Sequence, residues 1–357
     1  MGKPDQKRVT QSDIARMARV SQVAVSLALR GHPSIPEATK LHIRAIADRL
    51  GYVPDPSLSV LNAYRNSVRP PAYRSTLALL TNHETREGWK GLASASQYFD
   101  AACLRAEELG YKVEPFWLRE PGMTHLNASR ILVARGIQGI INAPQRRARA
   151  HLNLDWSRFS VISLGYTMTR PAFHAVANHH FRSMVILCRR LRALGYRRPG
   201  LAIMGALDER VDGNWSGAFL SEQRKNSTGK AVPVLIPAVP EDWNFSTFAK
   251  WFRKHRPDCI VTIHQDVFIF LKELGVSVPS DVGVAMCNVT NPSSNHSGID
   301  ENSALIGRAA VDLVVSMINR NELGIPVVPQ RLLVEGTWRP GATVQRVTAG
   351  PRRAISL

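Results

Sequence analysis

SQVAVSLALRG, residues 21–31, decides how the N-terminal part of the chain is read. A serine stands at the mouth of a short helical run, where its hydroxyl can accept a free backbone N–H of the first turn. The inward face of that helix would be Ala24, Val25, Ala28 and Leu29, a helical spacing of small and apolar side chains. Just before it, SDIARMARV (residues 12–20) is a second short amphipathic run, opened by Thr10 and Asp13 at capping-box spacing, with apolar positions Ile14, Met17 and Ala18. A tight turn through Arg19 and Val20 joins the two. Downstream, Ser34 and Glu37 form a second capping box with Pro36 in the first turn. That helix runs through Leu41, Ile43, Ile46, Ala47 and Leu50 to Gly51, a natural helix stop. Three short helices with a tight turn between the first two make a helix-turn-helix. The alternative is a small helical cap on a larger domain.

A chain of 357 residues holds one large or two to three modest domains, and 44% hydrophobic with 21% charged residues is a globular composition. The formal charge of +18 favours a polyanionic partner. Nucleic acid is the commonest, and a membrane surface is the rival that charge alone does not exclude. Cys103, Cys188, Cys259 and Cys287 form no CxxC pair and sit in apolar neighbourhoods, so buried thiols are expected rather than disulfides or metal ligands. The N-terminus has no apolar leader core and no run approaches a membrane span. A cytoplasmic protein without a membrane partner is expected.

The stretch from Thr10 to Pro56 resembles the DNA-binding headpiece of the lactose-repressor (LacI/GalR) family of bacterial transcription regulators. The matching features are DIA, the VS opening the second helix, VSLALRG after it, and RLGYVPDP closing the third. Arg19 departs from the family, which commonly places glycine in the turn. The resemblance implies that Gln22, Val23 and Leu27 face base edges; Gln can pair with adenine, and Val or Leu can touch a thymine methyl. Thr10, Ser12, Ser21 and Ser26 are then expected on phosphates. The small Ala24 lets the helix seat closely, and Tyr52 belongs to the closing motif of the interface. In DPSLSVLNAYR, Asp55 can cap and Pro56 suits a first helical position, with Leu58 and Leu61 on one face. The resemblance makes this a hinge helix whose Leu61 wedges into the minor groove and kinks the duplex. The alternative is that Leu61 packs against a partner chain. The linker that follows, with Pro70-Pro71, is longer than the family's.

From residue 75 strands and helices alternate in two similar halves, the pattern of parallel sheets covered on both faces. The fold class read here is an N-terminal all-α helix-turn-helix headpiece plus an α/β core of two doubly wound lobes, which the resemblance makes periplasmic-binding-protein-like. The expected divisions are residues 1–55 for the headpiece, 56–74 for hinge helix and linker, 75–345 for an effector-binding and dimerisation core, and 346–357 for a tail. Within the core, about 75–176 and 300–330 form the first lobe, and about 177–299 and 331–345 the second.

Ligands of such sheets bind beyond the carboxyl ends of the strands. Asn82 and His83 end the first strand. Arg210 heads RVDG, similar to the family's arginine motif for effector oxygens, and Asp266 in HQD resembles its Asn-Asp pair. Asn288 stands where many members carry an aspartate, and His179-His180 where the family often has Asp-Asn. Effector-binding residues are therefore expected at Asn82, His83, His180, Arg210, Asp266 and Asn288. No metal or cofactor is implied, since the adjacent histidines have no third ligand at useful spacing. The expected partners are an operator duplex, a small-molecule effector (a sugar or related metabolite) and a second copy of the chain. The tail has no leucine heptad that would build a tetramer. The competing readings are a sugar-binding protein or a carbohydrate-active enzyme. No P-loop, GxGxxG after a strand, GxSxG or zinc-protease pattern supports catalysis, and no catalytic residue is expected.

Overall fold

A computed structural model of the chain describes residues 9–29, 35–52, 75–226, 231–291 and 293–347. The headpiece comprises α1 (Gln11–Ala18), α2 (Gln22–Leu29) and α3 (Glu37–Leu50). Asp13 closes the first cap: its carboxylate accepts the Thr10 N–H at 2.9 Å and the Thr10 hydroxyl at 2.7 Å. Ser21 Oγ accepts the Ala24 N–H at 3.1 Å and starts α2. Ile14, Ala15, Val25, Ala28, Ile43, Ile46 and Ala47 form the small core. Met17 and Leu41, expected inside, are instead 52% and 60% exposed; Ala15 takes the inward position on α1. The third helix begins at Glu37, so Pro36 precedes the first turn, and Ser34 lies outside the described residues. Gly51 ends it in the left-handed region at φ 67°.

Arg19 adopts the left-handed conformation itself, at φ 54° and ψ 43°. The turn therefore keeps a glycine-type geometry without the glycine. A left-handed L-residue costs about 1 kcal/mol, partly offset in any glycine variant by a looser unfolded chain. Arg19→Gly is accordingly expected to stabilise the headpiece by up to about 1 kcal/mol. The check is a later headpiece transition in chemical denaturation; an earlier one would contradict the strain.

The core holds two main sheets. In the first lobe, β1 (Ser75–Thr81), α4 (Ala93–Glu108), β2 (Tyr111–Trp117), α5 (His125–Ala134), β3 (Gly139–Asn142), β4 (Ala150–His151), β5 (Ser160–Leu164), β6 (Met168–Arg170) and β7 (His174–Asn178) follow in order. The chain then enters the second lobe with α6 (His180–Ala193), β8 (Pro199–Leu201), α7 (Gly205–Arg210) and α8 (Asn214–Asn226). α9 (Phe245–His255), β9 (Cys259–Thr262), α10 (Asp266–Glu273), β10 (Gly283–Met286) and β11 (Ser297–Asp300) complete its main run. It returns through α11 (Ser303–Arg320) and β12 (Arg331–Val334) and crosses again to β13 (Thr337–Arg339). The first sheet has the order β12-β7-β5-β3-β1-β2, parallel throughout; the second is β13-β11-β10-β9-β8, with β13 antiparallel to β11; β4 and β6 form a small parallel pair.

The structure corrects two expectations. The resemblance assigns residues 331–334 to the second lobe, yet β12 pairs with β7 in the first sheet, Leu332 opposite Val176, and the last crossing falls between β12 and β13. AVPVLIP reads as a strand, but it contributes a single bridge from Leu235 to Ala202. Pro233 and Pro237 lack the N–H groups that a ladder needs. None of the four cysteines forms a disulfide; Cys188, Cys259 and Cys287 are buried.

Candidate nucleic-acid interface and interlobe cleft

The start of α2 is open. Ser12, Ser21 and Gln22 are exposed and Val23 is 68% exposed, while Ala24 and Ser26 are half-buried. Thr10 is exposed, but its hydroxyl is engaged by Asp13. Val23 stands out although it is apolar, because Val25 and Ala28 already occupy the buried face. Tyr52 points into the headpiece, where its hydroxyl accepts from Gln11 Nε2 at 3.1 Å and so ties the end of α3 to α1. Leu27 is placed differently from Gln22 and Val23. Together with Ile35 and Lys40 it lines a cavity of about 830 Å³ whose other wall is Tyr111, Gly136 and Ile318 of the first lobe. Leu58 and Leu61 lie outside the described residues.

The second site assembles at the carboxyl ends of both sheets, where strands of the two lobes end. His83, just past β1, is buried; its Nε2 lies 3.2 Å from the Pro144 carbonyl, and Trp117 Nε1 donates to its backbone oxygen at 2.8 Å. Burial lowers the His83 pKa, and the nearby charges of Arg210 and Arg146 lower it further. Asn82 beside it is half-buried. Arg210, at the end of α7 in the second lobe, reaches across the cleft and donates to the main-chain carbonyls of Gln145 and Arg146 in the first. Burial lowers its pKa too. It forms no ion pair among the described residues, so its charge is balanced only by neutral carbonyl dipoles.

Asn288 and His180 join a second group around Glu301. This carboxyl accepts from Tyr98 Oη at 3.1 Å and is also hydrogen-bonded by Asn288. Its pKa is raised to about 7, first by burial and then by Asp300. His180 Nδ1 sits 3.7 Å away. Burial pushes that imidazole down to about 3, with His179 contributing, so at neutral pH the contact is not an ion pair. The His180 ring packs against Tyr166 and Trp215, at 5.6 and 5.3 Å between centroids. His179 caps α6, accepting the Arg182 N–H at 3.4 Å. Asp266 is set apart: it is exposed at the start of α10, where its charge acts on His264.

Several cleft residues escape a reading of the sequence. Trp243 packs against His264 with the rings tilted by 31° and 4.0 Å between centroids, and His264 Nε2 accepts the Met204 N–H at 3.0 Å. Trp215 Nε1 and Gln145 Oε1 are buried with no hydrogen-bond partner, an arrangement that costs free energy unless something fills it. Gln97 Nε2 donates to the Thr290 carbonyl at 2.6 Å, a further tie between the lobes. Of these, His264 carries a signal in the sequence, its place just past the end of β9.

Comparison with known proteins places both parts. Residues 10–55 match the lacI family of bacterial regulatory proteins, and residues 188–344 match the periplasmic binding protein-like domain. No curated protein sequence matches the chain. A solved complex of the transcriptional regulator CelR with cellobiose superposes with a TM-score of 0.56 at 16% identity, covering 94% of this chain and 100% of that one. A lac repressor dimer bound to operator and the anti-inducer ONPF gives 0.55 at 16% identity, over 94% and 99%. A LacI-family regulator from Silicibacter pomeroyi gives 0.51 at 19% identity, over 94% and 99%. These likenesses concern the fold. With the headpiece match and the α/β core behind it, the chain belongs to the lacI family of transcription regulators, a helix-turn-helix joined to a periplasmic-binding-protein-like effector domain.

Proposed function

We propose that the protein is a repressor that binds a palindromic operator as a homodimer and responds to a small molecule held between its lobes. The observation that carries this reading is the capped, outward start of α2, with Gln22 and Val23 free beside the Ser21 cap. Gln22 reads adenine, Val23 meets a thymine methyl, and Ser12, Ser21 and Ser26 with Thr10 lie toward phosphates. Leu27 joins the readers when the headpiece leaves the first lobe, and Leu58 and Leu61 of the hinge work at the operator centre. Tyr52 supports the headpiece through Gln11 rather than reading DNA.

The effector occupies the space bounded by Asn82, His83, Arg210 and the Glu301 group. A sugar-like ring that offers oxygens to Arg210 and Gln145 competes with the main-chain carbonyls now holding Arg210. Ligand binding thereby exchanges one interlobe tie for another and shifts the lobe arrangement that sets headpiece spacing. His180 and Asn288 act on this site through Glu301, and Asp266 lies at its outer rim.

Duplex selection from a random pool by the full-length protein, for the wild type and Gln22→Ala, tests the reading. Wild type should enrich a two-fold symmetric motif. Gln22→Ala should relax one symmetric pair of positions by about 1–3 kcal/mol and leave the others intact. An unchanged motif would remove Gln22 from the interface.

A further inference from the structure

The headpiece does not account for the protein's charge. Residues 1–55 hold nine lysines and arginines against five acids, so most of the net +18 lies elsewhere. In the second lobe the helices run back against the strands, and their C-termini crowd the edge opposite the cleft. α6 ends with Arg189, Arg190 and Arg192, and Arg197 and Arg198 follow before β8. α9 ends with Arg253 and Lys254, and Arg256 follows before β9.

These segments form one surface. Arg198 donates to the His255 carbonyl at 2.7 Å, and the N–H groups of Arg197 and Arg198 reach the Asp258 carboxylate at 2.7 and 3.0 Å. Val347 N–H bonds the Leu194 carbonyl at 2.8 Å, which brings the exposed Arg346 alongside. The two carboxylates within the patch are engaged internally. Asp258 holds those backbone groups, and the buried Glu222 takes Arg192 at 3.0 Å and Lys225 at 3.5 Å. Arg189, Arg190, Arg253, Lys254 and Arg256 are exposed and form no ion pair among the described residues.

Charge in this lobe is segregated. Its cleft end carries Asp208, Glu209, Asp212, Glu241, Asp242 and Asp266, while the far end is basic but for Glu273 at the end of α10 and Asp281 before β10, the latter accepting the Ser277 N–H at 2.8 Å. A surface that only keeps a protein soluble mixes the signs. Helix dipoles favour the cations in the last turns of α6 and α9, but Arg197, Arg198, Arg256 and Arg346 lie outside any helix. No exposed large apolar side chain occurs within 189–198 or 250–258. A membrane surface or a single strand would use such groups. A duplex needs only phosphate contacts, for which guanidinium forks are suited.

We propose that this far face of the second lobe is a second, sequence-independent site for double-stranded DNA, engaging its phosphates. A regulator seated on one duplex by its headpieces then presents a basic face to another, and bridges the two.

The test uses the full-length protein and a random-sequence duplex, titrated over a range of salt concentrations. The variants are R189Q/R190Q and R189Q/R190Q/R253Q/K254Q, which alter exposed side chains without a structural bond. The fourfold variant should bind at least about tenfold more weakly at low salt and lose about 3–4 from the log–log salt slope, the double variant about half of that. The affinity for a selected duplex, which reports the headpiece, should stay within twofold. Unchanged slope and affinity in the fourfold variant would overturn the proposal. So would stronger binding of wild type to phosphatidylserine vesicles than to the duplex, abolished by the same changes. Failure of the selected duplex to be preferred would strike the operator reading and leave this site standing.

Discussion

Gly307→Ala should lower the melting temperature of the core by about 6–10 °C, a cost of about 3 kcal/mol. α11 crosses α4 at Gly307, and a Cβ there would run into the Tyr98 carbonyl oxygen and lie 3.1 Å from Ala101 Cβ. The first contact is with backbone, so no rotamer change relieves it. The two helices must separate, and with them the seam of Ala102, Ile306, Ala310 and Val314, all fully buried. The effect should extend to the cleft, because Tyr98 also holds Glu301. Thermal unfolding followed by circular dichroism gives the shift directly. A change below about 2 °C would mean that the helices are not in this register.

Glu301 produces the second large effect, through pH. Its pKa stands at about 7 in the folded protein against the ordinary 4.5, so the native state holds a proton that the unfolded chain releases. Stability from this group is therefore present below the unfolded value and is lost as pH rises from about 4.5 to about 7. The loss is about 3 kcal/mol at most. Glu301→Gln keeps an acceptor for Tyr98 but cannot ionise. The wild type should become less stable between about pH 4 and about pH 8 by up to that amount relative to the variant, with the two nearly matched at the lower value. Denaturant midpoints at both values measure this; parallel pH curves would show that Glu301 is not held as a buried acid between the lobes.

Local chemistry is legible in the residues themselves. Thr10 with Asp13, Ser21 before α2 and Gly51 after α3 are decided within one helical turn, and each takes that role in the fold. The apolar run STLALLTN likewise has no place but a central parallel strand. What the residues do not reveal depends on packing between distant segments. RLLVEGTWRPG contains two strands, and nothing in its residues says that β12 and β13 belong to different sheets. Met17 and Leu41 fit an inward helical spacing but stay outside because three short helices bury only one narrow face each. At the cleft, His83 and Arg210 can be named from strand ends and a motif. Gln145, Trp215, Trp243 and Glu301 cannot, since their roles come from partners far away in sequence, or from having none.

If α2 reads a particular DNA sequence, the affinity of the full-length protein for a selected duplex, divided by that for a scrambled duplex of equal length at physiological salt, shows it most directly. The expected ratio is at least about 10³, carried by a two-fold symmetric motif. A ratio near one, with tight binding only at low salt, would contradict it.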